Sequence, residues 1–188
     1  MKKNINREII NALIKVLGKK ECSLHEPWFD GLEIKYLSNS IKRNSVSTYG
    51  HETKMFEDKL KKYTGAKYVC AIINGTSAIH LSLYLADIKK DDEVLIPALN
   101  FIASSSATMY LGATPHFIDV EENSLGPDAK KLDIYLAKIT KIKNKKCFNK
   151  KTNNFIKAIV VTHIFGHPSD LTNLIKISKK YKIKLIED

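Results

Sequence analysis

The first third of the chain carries helical periodicity in two places. Apolar residues recur at helical spacing over residues 5–17, and an amphipathic pattern with one lysine-rich face runs over residues 51–63. Residues 21–50 lie between these segments and show no sustained period. We therefore expect a helical and irregular N-terminal segment over residues 1–50 and the first part of an α/β domain over residues 51–188.

From residue 67 onward, short apolar runs alternate with longer stretches that have helical character. The runs have the length of buried strands and cover residues 67–73, 92–96, 115–120, 156–162 and 183–187. The intervening stretches predict helices over residues 76–86, 101–111 and 128–138, and a further helix capped by Asp170. A connection rich in lysine and asparagine fills residues 139–154.

This alternation predicts an α/β fold: a mostly parallel sheet with helices on both faces, in three layers. The helix over 76–86 is apolar nearly all round, so we expect it to be buried. The helix after Asp170 is expected to turn four residues inward, namely Leu171, Leu174, Ile175 and Ser178. Ligands of such sheets bind beyond the carboxyl ends of the strands, so the residues after each strand are the candidates for function.

The segment that follows the first predicted strand has the features of a phosphate cradle. Gly75 allows a ligand to approach the backbone, and Thr76 and Ser77 offer hydroxyls and amides where a helix begins. The alternative is that Thr76 or Ser77 simply caps the helix. The chain contains neither GxGxxG nor GxxxxGK[ST], which argues against a Rossmann dinucleotide site and a P-loop.

Three later strands are also followed by residues that could bind a ligand or take part in catalysis. Phe101 is placed to stack on a flat ring or to join the core. His163 and His167 are candidates for ligand binding or acid–base chemistry, or are structural histidines. Asp188 ends the last strand, where a carboxylate needs a cationic partner such as a protonated pyridine nitrogen, unless it caps a following helix. A phosphate cradle, a stacking aromatic and this carboxylate together suit pyridoxal 5'-phosphate (PLP).

Composition and charge narrow the class of protein. The formal net charge is +11, and seven lysines fall within residues 138–151. Lysine predominates over arginine, which favours a solvated surface over nucleic-acid recognition, so no nucleic-acid partner is expected. The three cysteines are widely spaced without CxxC, so neither a disulfide framework nor a metal site is indicated. With no apolar run long enough to cross a membrane and no signal peptide, a reduced cytoplasmic protein is expected.

Five segments resemble motifs of the DegT/StrS-type sugar aminotransferases, which have the PLP fold type I architecture. The family patterns are "GT-x-A-x-H-L", "GDEVI-P-x-x-T-F-x-A-T", "GA-x-P-x-F-V-D-V", "H-x-x-G-x-P" and "V-I-E-D", and they match residues 74–81, 91–104, 112–120, 163–168 and 185–188. The chain departs from the family at Asn100, where Thr is usual, and at Lys90, where Gly is usual; both changes look tolerable. The resemblance runs from about His25 to the last residue.

The resemblance implies roles for the residues at the strand ends. Gly75, Thr76 and Ser77 would bind the cofactor phosphate, and Phe101 would stack on the ring. Asp188 would pair with the pyridine nitrogen, and His163 would lie beside the cofactor. The full-length family members are homodimers, with active sites at the subunit interface.

A narrower similarity points to the branch that serves legionaminic-acid and related nonulosonate pathways. It rests on residues 24–27, 46–50 and 165–168. Members of this branch aminate nucleotide-linked 4-keto-6-deoxy-N-acetylhexosamines for surface glycans and use glutamate as the amino donor. The resemblance makes His25, Glu26 and Tyr49 candidate substrate-binding residues.

The family's Schiff-base lysine lies after the "E-D" motif, in an "S-x-x-K" context, and therefore beyond the end of this chain. We expect no catalytic lysine within residues 1–188, no amino transfer by this chain alone, and an exposed, frayed end at Asp188. Three alternatives stay open: an inactive remnant that binds PLP or a sugar nucleotide, a basic nucleic-acid-binding protein, and a nicotinamide enzyme. The missing glycine fingerprint disfavours the last of these.

Overall fold

A computed structural model describes residues 4–18 and 27–188 of the chain. The chain divides into two compact units, Met1–Ala71 and Ile72–Asp188. No helix among the described residues is long and apolar enough to cross a membrane.

The described part of the first unit is helical. Its helices are α1 Ile5–Leu17, α2 Leu32–Lys42 and α3 His51–Thr64. The predicted helices over 5–17 and 51–63 are thus confirmed, and Gly65 follows α3 in the left-handed conformation at φ 72°, as a helix-ending glycine does. The expectation of an irregular segment over 21–50 was wrong for α2, whose apolar residues alternate along its first half and so hide the helical period.

The second unit consists of short strands and helices in alternation. In chain order these are α4 Gly75–Leu85, β1 Glu93–Pro97, α5 Ala103–Tyr110, β2 Thr114–Ile118, α6 Ala129–Ile139, β3 Thr140–Lys143, β4 Lys146–Asn149, β5 Ile156–Val161, α7 Leu171–Tyr181 and β6 Lys184–Glu187. Four strands form a parallel sheet in the order β2-β1-β5-β6, and β3 and β4 form an antiparallel hairpin.

Helices cover both faces of the sheet, as the sequence predicts. On one face, Leu95 and Ile159 contact a core built with α6 and α7. On the other, Val94, Ile96 and Val160 contact a core built with α4 and α5. Successive residues of β1 and β5 therefore point to opposite cores, which explains why these strands are apolar without alternation.

Two expectations for the first βα unit were wrong. Residues 67–73 form neither strand nor helix, although they read as a buried strand. A strand needs a hydrogen-bonded neighbour, and no described strand pairs with this segment; Tyr68 and Ile73 are 80% and 90% exposed. Helix α4 is buried on one side only, through Ile79 and Leu83.

Two further differences concern the later helices and the lysine-rich connection. The inward face of α7 comprises Leu174, Ile177, Ser178 and Tyr181, whereas Ile175 stays 38% exposed. The connection over 139–154 contains the β3–β4 hairpin, whose Cys147 is buried in the core with α6 and α7. These two strands were not predicted, because each has four residues with few apolar side chains and lysines among them.

Candidate functional site

The carboxyl ends of three neighbouring strands form one edge of the sheet. Pro97, Val161 and Glu187 are the last residues of β1, β5 and β6, and Val161 lies in register with Glu187. Phe101, His163 and Asp188 follow these strands within a few residues. We call this the ligand edge, because ligands of parallel sheets bind there.

Helix α4 runs antiparallel to the strands, so its N-terminus lies toward the ligand edge. Its C-terminal end is held at the opposite edge, where the Lys184 ammonium at the start of β6 donates a 2.8 Å hydrogen bond to the Ala86 carbonyl oxygen. Lys157 near the start of β5 binds the neighbouring Asp87 through its carbonyl and carboxylate. Eleven residues of helix span about 16 Å, which carries the first turn of α4 along the sheet.

Helix α4 is not capped by Thr76 or Ser77, the two residues that the sequence offered as N-caps. Asn74 is the N-cap, and its Oδ1 accepts a 2.8 Å hydrogen bond from the Ser77 N–H. The first intrahelical bond runs from the Ala78 N–H to the Asn74 carbonyl, which leaves the amides of Gly75 and Thr76 pointing out of the helix. A Cβ built on Gly75 meets no atom within 4 Å, so the backbone is open to a ligand.

Phe101 lies at the start of the turn into α5 and is not a core residue. Its ring is 75% exposed, although the core was an open alternative for it. The Asn100 side chain fixes the local backbone, because its Oδ1 accepts from the Phe101 N–H at 2.7 Å and its Nδ2 donates to Ser104 Oγ at 3.0 Å. The turn is thus ordered while the ring faces outward.

His163 and Asp188 are joined directly by their backbones. The Asp188 N–H donates to the Val161 carbonyl at 2.8 Å, and the His163 N–H donates to the Asp188 carbonyl at 2.9 Å. The parallel ladder between β5 and β6 therefore continues to the last residue. Asp188 is exposed, as expected, but the expectation of a frayed end was wrong. Partial burial raises the pKa of the Asp188 carboxyl above its ordinary value, and attraction to His163 opposes this.

The His163 imidazole is oriented by bonds at both ring nitrogens. Nδ1 accepts a 3.1 Å hydrogen bond from the Ser169 N–H, and Nε2 lies 3.4 Å from Glu187 Oε2. Ser169 is buried and also donates from Oγ to the Thr162 carbonyl at 3.0 Å. Ser169 was not among the predicted site residues, because a serine in a loop has no distinctive sequence pattern until its neighbours are known.

The loop between His163 and Ser169 contains backbone strain. Phe165 has φ 53°, and it is followed by Gly166 at φ 81°. A side chain in the left-handed region costs of order 1 kcal/mol, and here the Phe165 ring is 81% exposed. His167 is exposed in the same loop, and its N–H donates to the Ile164 carbonyl at 3.0 Å.

The predicted substrate residues are placed differently. His25 and Glu26 lie outside the described residues. Tyr49 belongs to the first unit and is 98% exposed, directly before the N-cap of α3 at Gly50. Their assignment to a substrate stays a prediction.

A buried polar network that no sequence motif indicated lies at the opposite edge of the sheet. Glu93 opens β1 and is 2% exposed; it binds His116 Nδ1 at 2.7 Å, Asn149 Nδ2 at 3.0 Å and the Thr152 hydroxyl. His116 Nε2 continues the network to the Tyr135 hydroxyl at 3.0 Å. Burial raises the pKa of Glu93, but these hydrogen bonds outweigh it and leave the pKa lowered. The network fastens the hairpin to the sheet; its sequence signal was an acid beginning an apolar strand.

A separate cleft of about 540 Å³ opens between the N-terminal ends of α6 and α7. Asp128 and Asp170 cap these helices and line the cleft, with Lys130 and Lys176 beside them. None of the six predicted cofactor residues lines it.

The fold places the chain in a structural class. A solved aminotransferase from Psychrobacter cryohalolentis superposes with a TM-score of 0.71 at 28% identity, covering 87% of this chain and 38% of that one. The architecture is that of the fold type I PLP-dependent enzymes. A model of the DegT/DnrJ/EryC1/StrS aminotransferase family matches residues 29–188. The chain belongs to this family, whose aminotransferases are PLP-dependent.

Curated relatives agree with the family assignment. GDP-perosamine synthase of Escherichia coli O157:H7 is 29% identical over 169 residues, which cover 90% of this chain and 42% of that protein. dTDP-3-amino-3,6-dideoxy-alpha-D-galactopyranose transaminase of Aneurinibacillus thermoaerophilus is 32% identical over 83% of this chain and 39% of that protein. The chain thus spans about two fifths of the length of these relatives.

Proposed function

We propose that this chain supplies the cofactor-binding front part of an aminotransferase that aminates a nucleotide-linked 4-keto-6-deoxy sugar, with glutamate as donor. One observation carries the proposal: the backbone bond between His163 and Asp188 holds both residues at the ligand edge. The first turn of α4 and the exposed Phe101 ring lie toward the same edge by topology.

The residues at this edge fit PLP. Gly75 and Thr76 offer amides free of intrahelical acceptors for a phosphate, next to the Ser77 hydroxyl. Asp188 has a carboxyl that partial burial disfavours in its charged form, and a protonated ring nitrogen would relieve that cost. When bound, PLP supplies an electron-withdrawing ring that stabilises negative charge at the carbon bearing the amino group.

Each of these residues would then have a defined task. The α4 amides and Ser77 would hold the phosphate and fix the position of the ring. Phe101 would cover one face of the ring and exclude water from it. The Asp188 carboxylate would keep a proton on the ring nitrogen. His163 would help to hold Asp188 in place through their backbone hydrogen bond. The Schiff-base lysine would come from residues beyond the 188 of this chain.

The substrate proposal draws on the relatives and on the narrower motif resemblance. Both relatives are named for an amino sugar linked to a nucleotide, which is GDP in one name and dTDP in the other. The segments at 24–27, 46–50 and 165–168 favour the nonulosonate branch and an N-acetylhexosamine. We further propose that the whole protein is a cytoplasmic homodimer. His25, Glu26 and Tyr49 would contact the sugar nucleotide. No observation favours the inactive remnant over the enzyme.

The cofactor site is tested by binding of 4-deoxypyridoxine 5'-phosphate to the whole protein that contains this chain. This compound keeps the ring nitrogen and phosphate of PLP but lacks the aldehyde, so the many lysines cannot capture it. We expect saturable binding by calorimetry, weakened about tenfold or more by Asp188→Asn and severalfold by Ser77→Ala.

The matched control is Glu122→Gln, an exposed carboxylate in the loop before α6. This variant should bind like the parent protein. Absence of saturable binding, or equal affinity in Asp188→Asn, would disprove the assignment. Amino transfer from glutamate to a nucleotide-linked 4-keto sugar by the whole protein tests the reaction itself.

A further inference from the structure

Five lysines line one small pocket at the edge of the sheet opposite Asp188. The pocket has a volume of about 180 Å³ and includes Lys145, Lys146, Lys157, Lys182 and Lys184 among its lining residues. They come from the β3–β4 hairpin, the start of β5, and the start of β6 with the residues just before it. We call this the lysine pocket.

The charge of the lysine pocket is largely uncompensated. Among the described residues, no Asp or Glu lines it. Lys157 is neutralised from outside by Asp87 and Asp92, at 3.2 Å and 3.1 Å. Within the described part of the chain, Lys184 binds a neutral carbonyl, that of Ala86, and four lysines of the pocket have no carboxylate partner.

The remaining lysines are available to a ligand. Lys146 Nζ lies 4.7 Å from the centroid of the Phe155 ring, an aromatic contact that attracts the cation without cancelling its charge. The ammonium groups of Lys145 and Lys182 have no hydrogen-bond or ion-pair partner among residues 4–18 and 27–188. Like charges gathered at one pocket repel, so an anion that binds there gains from the lysines whose charge no described carboxylate offsets.

Two of these lysines occupy backbone positions that favour glycine or asparagine. Lys145 has φ 60° and follows Asn144 at φ 52° in the two-residue turn between β3 and β4, where Asn-Gly is the preferred pair. Lys182 has φ 59° and ends α7 in the left-handed conformation, the usual place of a glycine. Both positions thus carry a lysine against local preference, and both line the same pocket.

We propose that the lysine pocket binds a small diphosphate-bearing anion. Ammonium groups bind phosphate oxygens as point charges, which suits a cluster of lysines without arginine. The volume lies below the roughly 300–1,000 Å³ of pockets that hold drug-sized ligands, so the pocket fits the phosphates alone. The anion is free pyrophosphate or the diphosphate of a nucleotide whose base stays outside. This site is separate from the proposed cofactor site and stands without it.

The test measures binding of inorganic pyrophosphate and of GDP to the whole protein by calorimetry, at ionic strength matched with sodium chloride. The informative variant is Lys145→Gln/Lys182→Gln, which removes two uncompensated charges and keeps a polar side chain at each position. Lys35→Gln/Lys59→Gln is the matched control, since these lysines are exposed and do not line the pocket. Circular dichroism verifies that each variant is folded.

We expect saturable binding that the pocket variant weakens about tenfold or more, while the control changes it less than about twofold. Tighter binding of GDP than of pyrophosphate would identify a nucleotide as the source of the diphosphate. The proposal fails if neither anion saturates, or if the two lysine variants behave alike. It also fails if Ser77→Ala alone removes binding, which would place the anion at α4. If the protein binds duplex DNA but not pyrophosphate, the proposal is wrong and the lysines form a nucleic-acid-binding surface.

Discussion

The backbone N–H of Ser169 donates a 3.1 Å hydrogen bond to Nδ1 of His163. An N–H can only donate, so Nδ1 must accept, and the proton of a neutral His163 lies on Nε2. Nε2 faces the Glu187 carboxylate at 3.4 Å, where it can act as the donor. One buried loop residue thereby decides which nitrogen of His163 can give a proton at the ligand edge.

The His163 tautomer is therefore predictable. Nitrogen-15 NMR of the histidines at a pH where the ring is neutral should show the Nε2–H form for His163. Ser169→Ala keeps the backbone N–H and should leave this tautomer unchanged, although it removes the bond from Ser169 Oγ to Thr162. An Nδ1–H signal in the parent protein would contradict the geometry.

Gly126 and Ser169 should be energetically coupled. A Cβ on Gly126 would lie 2.2 Å from Ser169 Oγ and 2.8 Å from its Cβ, so the side chains cannot coexist without movement. Gly126→Ala should cost about 1–3 kcal/mol of unfolding free energy by overpacking. Urea denaturation measures this cost.

The control for that clash is a double-mutant cycle with Ser169→Gly. Removal of the serine side chain opens the space that the new methyl group needs, so the second Gly126→Ala cost should fall well below the first. Strict additivity of the two changes would show that the alanine is tolerated by other means.

The buried Glu93 should make the free energy of unfolding depend on pH in the acidic range. Hydrogen bonds from His116, Asn149 and Thr152 outweigh desolvation and lower its pKa from the ordinary 4.5. A lowered native pKa means that its stabilisation is present above the unfolded pKa and is lost as the pH falls through the folded pKa. Glu93→Gln should cost about 1–3 kcal/mol at neutral pH, and that cost should shrink on acidification.

Chemical denaturation from pH 7 down to pH 3.5 compares the two proteins, with Glu122→Gln as an exposed control expected within about 0.5 kcal/mol of the parent. A Glu93→Gln cost that stays constant over this range would mean that the carboxyl pKa is not lowered in the native protein.

The cap of α4 should contribute to stability through Asn74. Its Oδ1 satisfies the Ser77 N–H at 2.8 Å, so Asn74→Ala should lower the free energy of unfolding by about 1 kcal/mol. Asn74→Asp keeps an acceptor at the same position and should retain most of that stability. If Thr76→Ala proved as costly as Asn74→Ala, the cap would lie at Thr76, as the sequence analysis had allowed.

The sequence alone determined the class of fold and most of its elements. Apolar runs without alternation, such as 158–161, indicate strands that are covered on both faces. The helices over 76–86 and 128–138 follow from composition and caps. Because the residues after parallel strands lie at one edge of the sheet, the sequence predicts Phe101, His163 and Asp188 at the same edge.

Only the tertiary structure decided features that depend on partners distant in sequence. Residues 67–73 are apolar enough for a strand but form none, because a strand exists only with a hydrogen-bonded neighbour. Glu93 binds Thr152, which lies 59 positions later in the sequence. Lys145 and Lys182 line the same pocket because of the β3–β4 hairpin, which the sequence pattern did not predict. Local pattern records what a residue prefers, whereas contacts between remote segments decide which of those preferences can be satisfied together.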